Sequence, residues 1–413
     1  MRKLLVLFVI AVAPISMAHA RSFEPQTVTV EQLRQTLATL HGKSDKKVAK
    51  QLAELELTER LSRAEFEVIS KTLPGAKSRT ALLALEDVSM FLDPPPSEMV
   101  PDPAPDAEAQ KQMLMHAGQL ANDQADSIPN FVAMRSAEHF QDVRVYPYSN
   151  KIEYYTPGSF RLIEHQVNDI SCSAGGDDVL DQPDKDLDRS MARQRQPLMY
   201  MTIFGYQTIW GNITWNLPNL TQAGMKPTGA FGPWLQAVTG DAPDGKAEWA
   251  YWERSGSGKL AVYRFHIAPE NSHYTIHYDF AANPILGQVG HAYTAAPGYH
   301  GEIAIDPETG QVARIVVICD FAKGEPMSRA SMELEYAMQR VGGEEYLLPV
   351  RGVSISSFSL ATHNLLFDNG DSIGEQSDHF PVTSVDDLAF SNYRVFKPRI
   401  RILPLKSLDR PAK

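Results

Sequence analysis

Gly301-Glu-Ile-Ala-Ile-Asp-Pro-Glu-Thr-Gly-Gln-Val-Ala-Arg-Ile-Val-Val-Ile318 is the stretch on which the fold turns. Two apolar, β-branched runs flank Pro307-Glu-Thr-Gly310, whose proline and glycine suit a tight turn, so the segment reads as a β-hairpin. The pattern recurs on either side. Residues 249–253 and 260–266 flank a glycine-bearing turn at 254–259, and 332–341 and 346–355 flank Gly342-Gly343. Leu198 to Tyr206 is another β-prone run, and Tyr274 to Phe280 alternates aromatic with polar residues. Successive hairpins imply an antiparallel meander rather than strand-helix-strand units. One helix is expected within it, over 229–238, with Phe231, Trp234 and Leu235 on its buried side.

Before residue 131 the period is helical. Thr29-Val-Glu-Gln32 matches a capping box ahead of Leu33, Leu37 and Leu40. Asp45 suits the cap of a second helix with Val48, Leu52 and Leu55, and Ser62-Arg-Ala-Glu65 opens a third carrying Phe66, Ile69 and Leu73. A fourth carries Leu82, Leu85, Val88 and Leu92. Residues 93–105 hold six prolines and read as a stiff, extended spacer. Helical composition returns over 106–128, with Met113, Leu114, Ala117 and Leu120 on one side. The chain therefore reads as α+β. Short helices (21–92), the linker and a connecting helix precede a large curved, half-barrel-like antiparallel sheet (131–400) with one or two packed helices, then a tail at 401–413.

The first twenty residues carry an address. Met1-Arg2-Lys3 is basic, Leu4 to Ala13 is apolar, and Ala18-His19-Ala20 fits a signal-peptidase site, so cleavage is expected after Ala20. The apolar run is too short to span a bilayer, and no later segment is long and apolar enough to do so. A periplasmic or secreted protein is expected. Loss of Arg2 and Lys3 takes the net charge from −11 to −13, which disfavours nucleic acid or anionic lipid as partner.

Chemistry-bearing motifs are sparse. With only two cysteines in 413 residues, multi-cysteine zinc sites are excluded, and an oxidising compartment points to a Cys172–Cys319 disulfide. Asp184, Asp186 and Asp188 have calcium-loop spacing, with Asp177, Asp178 and Asp181 just before them. Arg189 and Arg195 stand where such a loop needs glycine and glutamate, so the stretch Asp177–Asp188 reads as a solvated acidic loop. His266, His273 and His277 could share a sheet face, but no HExxH motif or fixed third ligand accompanies them, and sheet-surface histidines are the simpler reading. No phosphate loop, nucleophile elbow or other enzyme constellation is present, and no cofactor is expected. The aromatics are more suggestive: Tyr206, Trp210, Trp215, Phe231, Trp234, Trp249 and Trp252 could line an apolar groove between sheet and helix, or simply fill the core.

Gly298-Tyr-His-Gly301 leading into Glu302–Asp306, the Pro307–Gly310 turn and Val312–Val316 resemble a strand, D-x-x-T-G turn and strand of the lipoprotein-carrier superfamily of the bacterial periplasm, the LolA/LolB-like folds. Tyr346-Leu-Leu-Pro349-Val, Asn392-Tyr-Arg-Val-Phe396 and the leader around Ala81-Leu82 and Phe91–Pro95 resemble parts of secreted bacterial proteins with such domains. The resemblance covers about residues 135–400. It implies a curved sheet closed by helices around a hydrophobic cavity, and thus a non-enzymatic carrier of a lipid or lipoprotein acyl chain. The chain departs from it in its length, its helical preface and its acidic insert. The alternative is an envelope scaffold that docks a protein partner through its N-terminal helices, with a packed β domain.

Overall fold

The structure is a computed structural model that describes residues 25–146, 151–154, 159–173, 176–179, 201–203, 206–208, 235, 238–240, 247–256, 258–280, 291–368 and 371–395. The expected signal peptide, the acidic stretch 180–188 and the tail at 401–413 lie outside them. The first part of the chain forms β1 (Gln26–Val28), α1 (Val30–Thr39), α2 (Asp45–Leu52), β2 (Leu55–Leu57), α3 (Arg63–Ser70) and α4 (Ala76–Ser89). There follow β3 (Met99–Val100), α5 (Ala107–Ser127), β4 (Phe131–Gln141), β5 (Val143–Tyr146), β6 (Lys151–Tyr154), β7 (Arg161–Ser173) and β8 (Gly176–Val179). The next strands are β9 (Met201–Ile203), β10 (Tyr206–Thr208), β11 (Glu248–Ser255), β12 (Gly258–Ile267), β13 (Ile276–Phe280) and β14 (His291–Ala295). Last come β15 (Gly298–Ile305), β16 (Val312–Asp320), β17 (Met327–Val341), β18 (Glu344–Asp368) and β19 (Asp371–Val395).

Eleven strands form one sheet in the order β3-β11-β12-β15-β16-β17-β18-β19-β4-β7-β8. Every neighbouring pair is antiparallel. The sheet is open, with β3 and β8 at its edges, and the α+β reading holds. The linker is more than the expected spacer. It supplies edge strand β3 against β11, and Trp252 Nε1 donates to Pro103 O at 2.9 Å.

The turn chemistry explains the meander. Between β15 and β16, Asp306 Oδ1 accepts from the Glu308 and Thr309 amides at 2.8 and 3.2 Å, and Gly310 completes the turn at φ +75°. Between β17 and β18, Gly342 and Gly343 have φ of +68° and +110°, as a two-residue hairpin requires. Gly310 meets a second constraint, because this turn packs on α5. A Cβ there would lie 2.4 Å from His116 Nδ1.

The sheet is covered on both faces. On one, Ala117 and Ala121 of α5 and the helical residues Leu235 and Val238 pack on Tyr263, Tyr299, Ile303, Ile315, Leu334 and Phe390 in the main core. The other face receives the N-terminal helices. These have their own core, built from Leu33, Leu52, Leu61, Phe66, Leu82 and their neighbours around the parallel β1–β2 pair. One contact inside this unit departs from local expectation: Ser44 is the N-cap position of α2, and Asp45 caps α4 instead. Its carboxylate accepts from Lys77 N at 3.1 Å, Ser78 N at 2.8 Å and Ser78 Oγ at 2.7 Å. Those bonds hold Asp45 below the usual carboxylate range. The cap position of α4 is Gly75, and any Cβ there would lie 2.6 Å from Asp45 Cγ.

Gly310→Ala should lower stability by about 1–3 kcal/mol in urea unfolding, from steric overlap plus the positive φ. Adding His116→Ala should recover part of the loss, since the backbone strain and a lesser crowding of Leu120 at 3.1 Å then remain.

Candidate functional site at the seam between helices and sheet

α4 joins the two units and is buried around most of its circumference. Leu82 and Leu85 enter the helical core, while Ala84 meets Met90, Phe140, Val353, Ile355 and Val385 on the sheet side. Beside that small apolar patch stand two adjacent acids, Glu86 and Asp87, both 0 % exposed. Arg351 of β18 answers them. Its Nη1 donates to Glu86 Oε1 at 3.0 Å, its Nη2 to Asp87 Oδ1 at 2.6 Å, and its Nε to Asp387 Oδ1 of β19 at 3.1 Å. Arg63, from the start of α3, adds a contact to Glu86 Oε2 at 3.0 Å.

A second cluster lies nearby on the same face. Arg314 of β16 grips Glu253 of β11 with two bonds of 2.7 Å, and Arg60 reaches the same carboxylate at 2.7 Å. Burial alone would raise Glu253, but Arg314 and Arg60 together hold it at about 2. Between the clusters, Glu333 of β17 is 0 % exposed and, among the described residues, neither carboxylate oxygen has a hydrogen-bond partner. Burial first, then the nearby Glu335 charge, pushes Glu333 up to about 8 despite Arg351, Arg314 and Arg60. Burial likewise lifts Glu86 to about 7 and Asp87 well above its usual range. These three acids therefore hold a proton more tightly than an exposed carboxyl does.

Further along the same seam the two units leave a gap of about 120 Å³. Its walls are apolar: Leu52, Leu55 and Leu57 from α2 and β2, Ala81, Ala84, Leu85 and Val88 along α4, Leu92 just after it, and Phe160 just before β7. The α4 residues recur at three- and four-residue spacing, so one helical stripe forms one wall. Arg329 of β17 and Glu56 supply the charged part of the lining. A separate cleft of about 320 Å³ lies beyond the C-terminal end of α4, between Phe91, Arg264, His300 and Ile318. There Arg264 is engaged by Glu302 and Asp93, and His300 Nδ1 meets Asp320 Oδ1 at 2.9 Å.

Of the aromatic candidates, the structure places Trp249 and Trp252 away from this gap. Trp249 and Trp252 pack edge to face at 4.8 Å, and Trp249 meets Tyr263 at 5.5 Å, all within the main core. Tyr206 lies in β10 with its side chain outside the described residues, as are Trp210, Trp215, Phe231 and Trp234. Cys172 and Cys319 are two buried thiols rather than the expected disulfide. They sit on β7 and β16, with β17, β18, β19 and β4 between them in the sheet order. Five strand steps span about 24 Å along a sheet, against the roughly 4.4–6.8 Å between Cα atoms that a disulfide needs. Burial pushes the Cys319 thiol up to about 12. His266 faces Asp320 at 3.4 Å, and no His, Cys, Asp and Glu group among the described residues is arranged to hold a metal. No helix among the described residues is long and apolar enough to cross a membrane.

The residues that matter at the seam, Arg60, Glu86, Asp87, Arg329, Glu333 and Arg351, carry no motif. One signal was available: Glu86-Asp87 interrupts an otherwise apolar stretch, 81–92, too wide in its hydrophobicity for a surface helix. Comparisons with protein-family models, with curated proteins and with solved structures find no match.

Arg351→Ala should destabilise the protein by about 3–5 kcal/mol, because it strands buried carboxylates, as differential unfolding in urea can measure. The pH response follows from the raised acids. Between the ordinary value of 4.5 and about 7–8, folded Glu86 and Glu333 keep protons that the unfolded chain releases. Their contribution is complete below that window and is lost as pH rises through it. Urea midpoints should fall from pH 5 to pH 8.5, and Glu333→Gln should flatten that decline.

Proposed function

We propose that this chain is a non-enzymatic, exported binding protein that holds an apolar ligand group at the seam between α4 and the sheet. The carrying observation is the continuous apolar wall of Leu52, Leu55, Leu57, Ala81, Leu85, Val88 and Phe160 around a gap that the two units leave unfilled. Well-packed interiors hold few voids larger than a water molecule, so such a gap between separately cored units is a place for a ligand. An engineered apolar cavity of about 150 Å³ takes up benzene, so a gap of this size suits a tail or ring of about five or six carbons. The resemblance to lipoprotein carriers supports the class of ligand. The place differs from the groove read from the sequence, since on the opposite face Leu235, Val238 and Trp252 are buried in packed core.

The test uses 1-hexanol as a neutral probe. Methyl NMR should show saturable shifts at Leu52, Leu85 and Val88. Ala81→Leu, which fills the gap from a half-buried position, should weaken binding at least about tenfold. No shifts at those methyls, or equal binding by Ala81→Leu, would reject the reading.

A further inference from the structure

Arg329 distinguishes this gap from a simple packing defect. The other arginines of the seam each have a carboxylate at hydrogen-bond distance: Arg351 with Asp87 at 2.6 Å, Arg314 and Arg60 with Glu253 at 2.7 Å, and Arg63 with Glu86 at 3.0 Å. Arg329 is half-buried, lines the apolar gap and has no acid within 4 Å among the described residues. Its guanidinium carbon lies 5.6 Å from the ring centroid of Phe91. Burial lowers its proton affinity, and Glu56, an exposed residue of the same lining, offsets this only from a distance. A desolvated cation in an apolar wall is unfavourable until a counter-charge arrives.

Building on the proposed binding role, we infer that the ligand is a small amphiphilic carboxylate, its headgroup paired with Arg329 and its tail lying against Leu52, Leu85 and Val88. One planar guanidinium matches one carboxylate through two parallel bonds, whereas a phosphate dianion calls for more positive charge than this wall supplies. Glu56 would then repel the headgroup and set an upper limit on affinity. Arg329 is thus the residue that selects charge, and the α4 stripe the one that selects tail size.

Isothermal titration of the full chain at pH 7 with hexanoate, 1-hexanol, hexylammonium and hexyl phosphate tests the assignment. Hexanoate should bind about tenfold more tightly than 1-hexanol, and hexylammonium more weakly than either. Arg329→Gln should weaken hexanoate about tenfold, down to the level of the alcohol, and change 1-hexanol by a much smaller factor. Glu56→Gln should act with the opposite sign, tightening hexanoate by about two- to threefold. A structural role for Arg329 alone would not produce that pair of opposed shifts. If 1-hexanol binds and hexanoate binds no better, or if Arg329→Gln leaves hexanoate untouched, the carboxylate assignment is overturned while the pocket stands. Tighter binding of hexyl phosphate than hexanoate also overturns it. If neither hexanoate nor 1-hexanol binds, the pocket itself is rejected.

Discussion

Buried charge between α4 and the sheet is the constraint around which the molecule is arranged. The helical unit has its own apolar core, and the shared apolar patch is small. What fixes one unit on the other is the set of bonds from Arg351 to Glu86, Asp87 and Asp387, with Glu253 held by Arg314 and Arg60 beside it. Such pairs repay their desolvation only when geometry is good, so their net stabilisation is modest. Their directionality is another matter. Sliding α4 by one turn would leave two carboxylates and a guanidinium buried without partners, so the layer sets position more than it sets strength.

That positional control reaches the gap. α4 is held at its N-terminus by Asp45 of α2 and along its length by the ionic layer, so its apolar stripe stands off from Arg329 and Phe160 at a fixed spacing. A purely apolar seam could shift and close such a space, because dispersion contacts have little directional preference. Charge pairs prevent that collapse. The buried acids and the unfilled pocket are therefore two aspects of one arrangement.

Legibility in the sequence followed the range of the interaction. The Asp306–Gly310 turn and the Gly342-Gly343 turn were readable because the backbone requirement and the residue that meets it are the same few positions. Thr29 behaves as its capping box implies, exchanging bonds with Gln32. Ser62 has the same local pattern, yet its hydroxyl makes no cap bond and donates to Glu98 of the linker at 2.6 Å. Asp45 likewise left its own helix for another. The β18–β19 hairpin was mostly hidden, since runs such as Thr362–Asn364 and Asp371–Asp378 lack strand-like alternation. The seam was beyond local reading: Arg351 and Asp87 are 264 residues apart, and nothing near either one announces the other.

The sheet order has a consequence for how the chain acquires its structure. β4, the first long strand, pairs with β19, the last, and His139 meets Asp386 across 247 residues at 2.7 Å. Until the C-terminal strand exists, β4 and β7 have no route into the sheet. Contacts of such sequence separation are entropically expensive to close, so they form late and slowly. A growing chain would spend that interval with an exposed β4–β7 pair, an edge prone to pairing with other molecules. A chain that lost β19 would thus leave β4 and β7 cut off from the rest of the sheet.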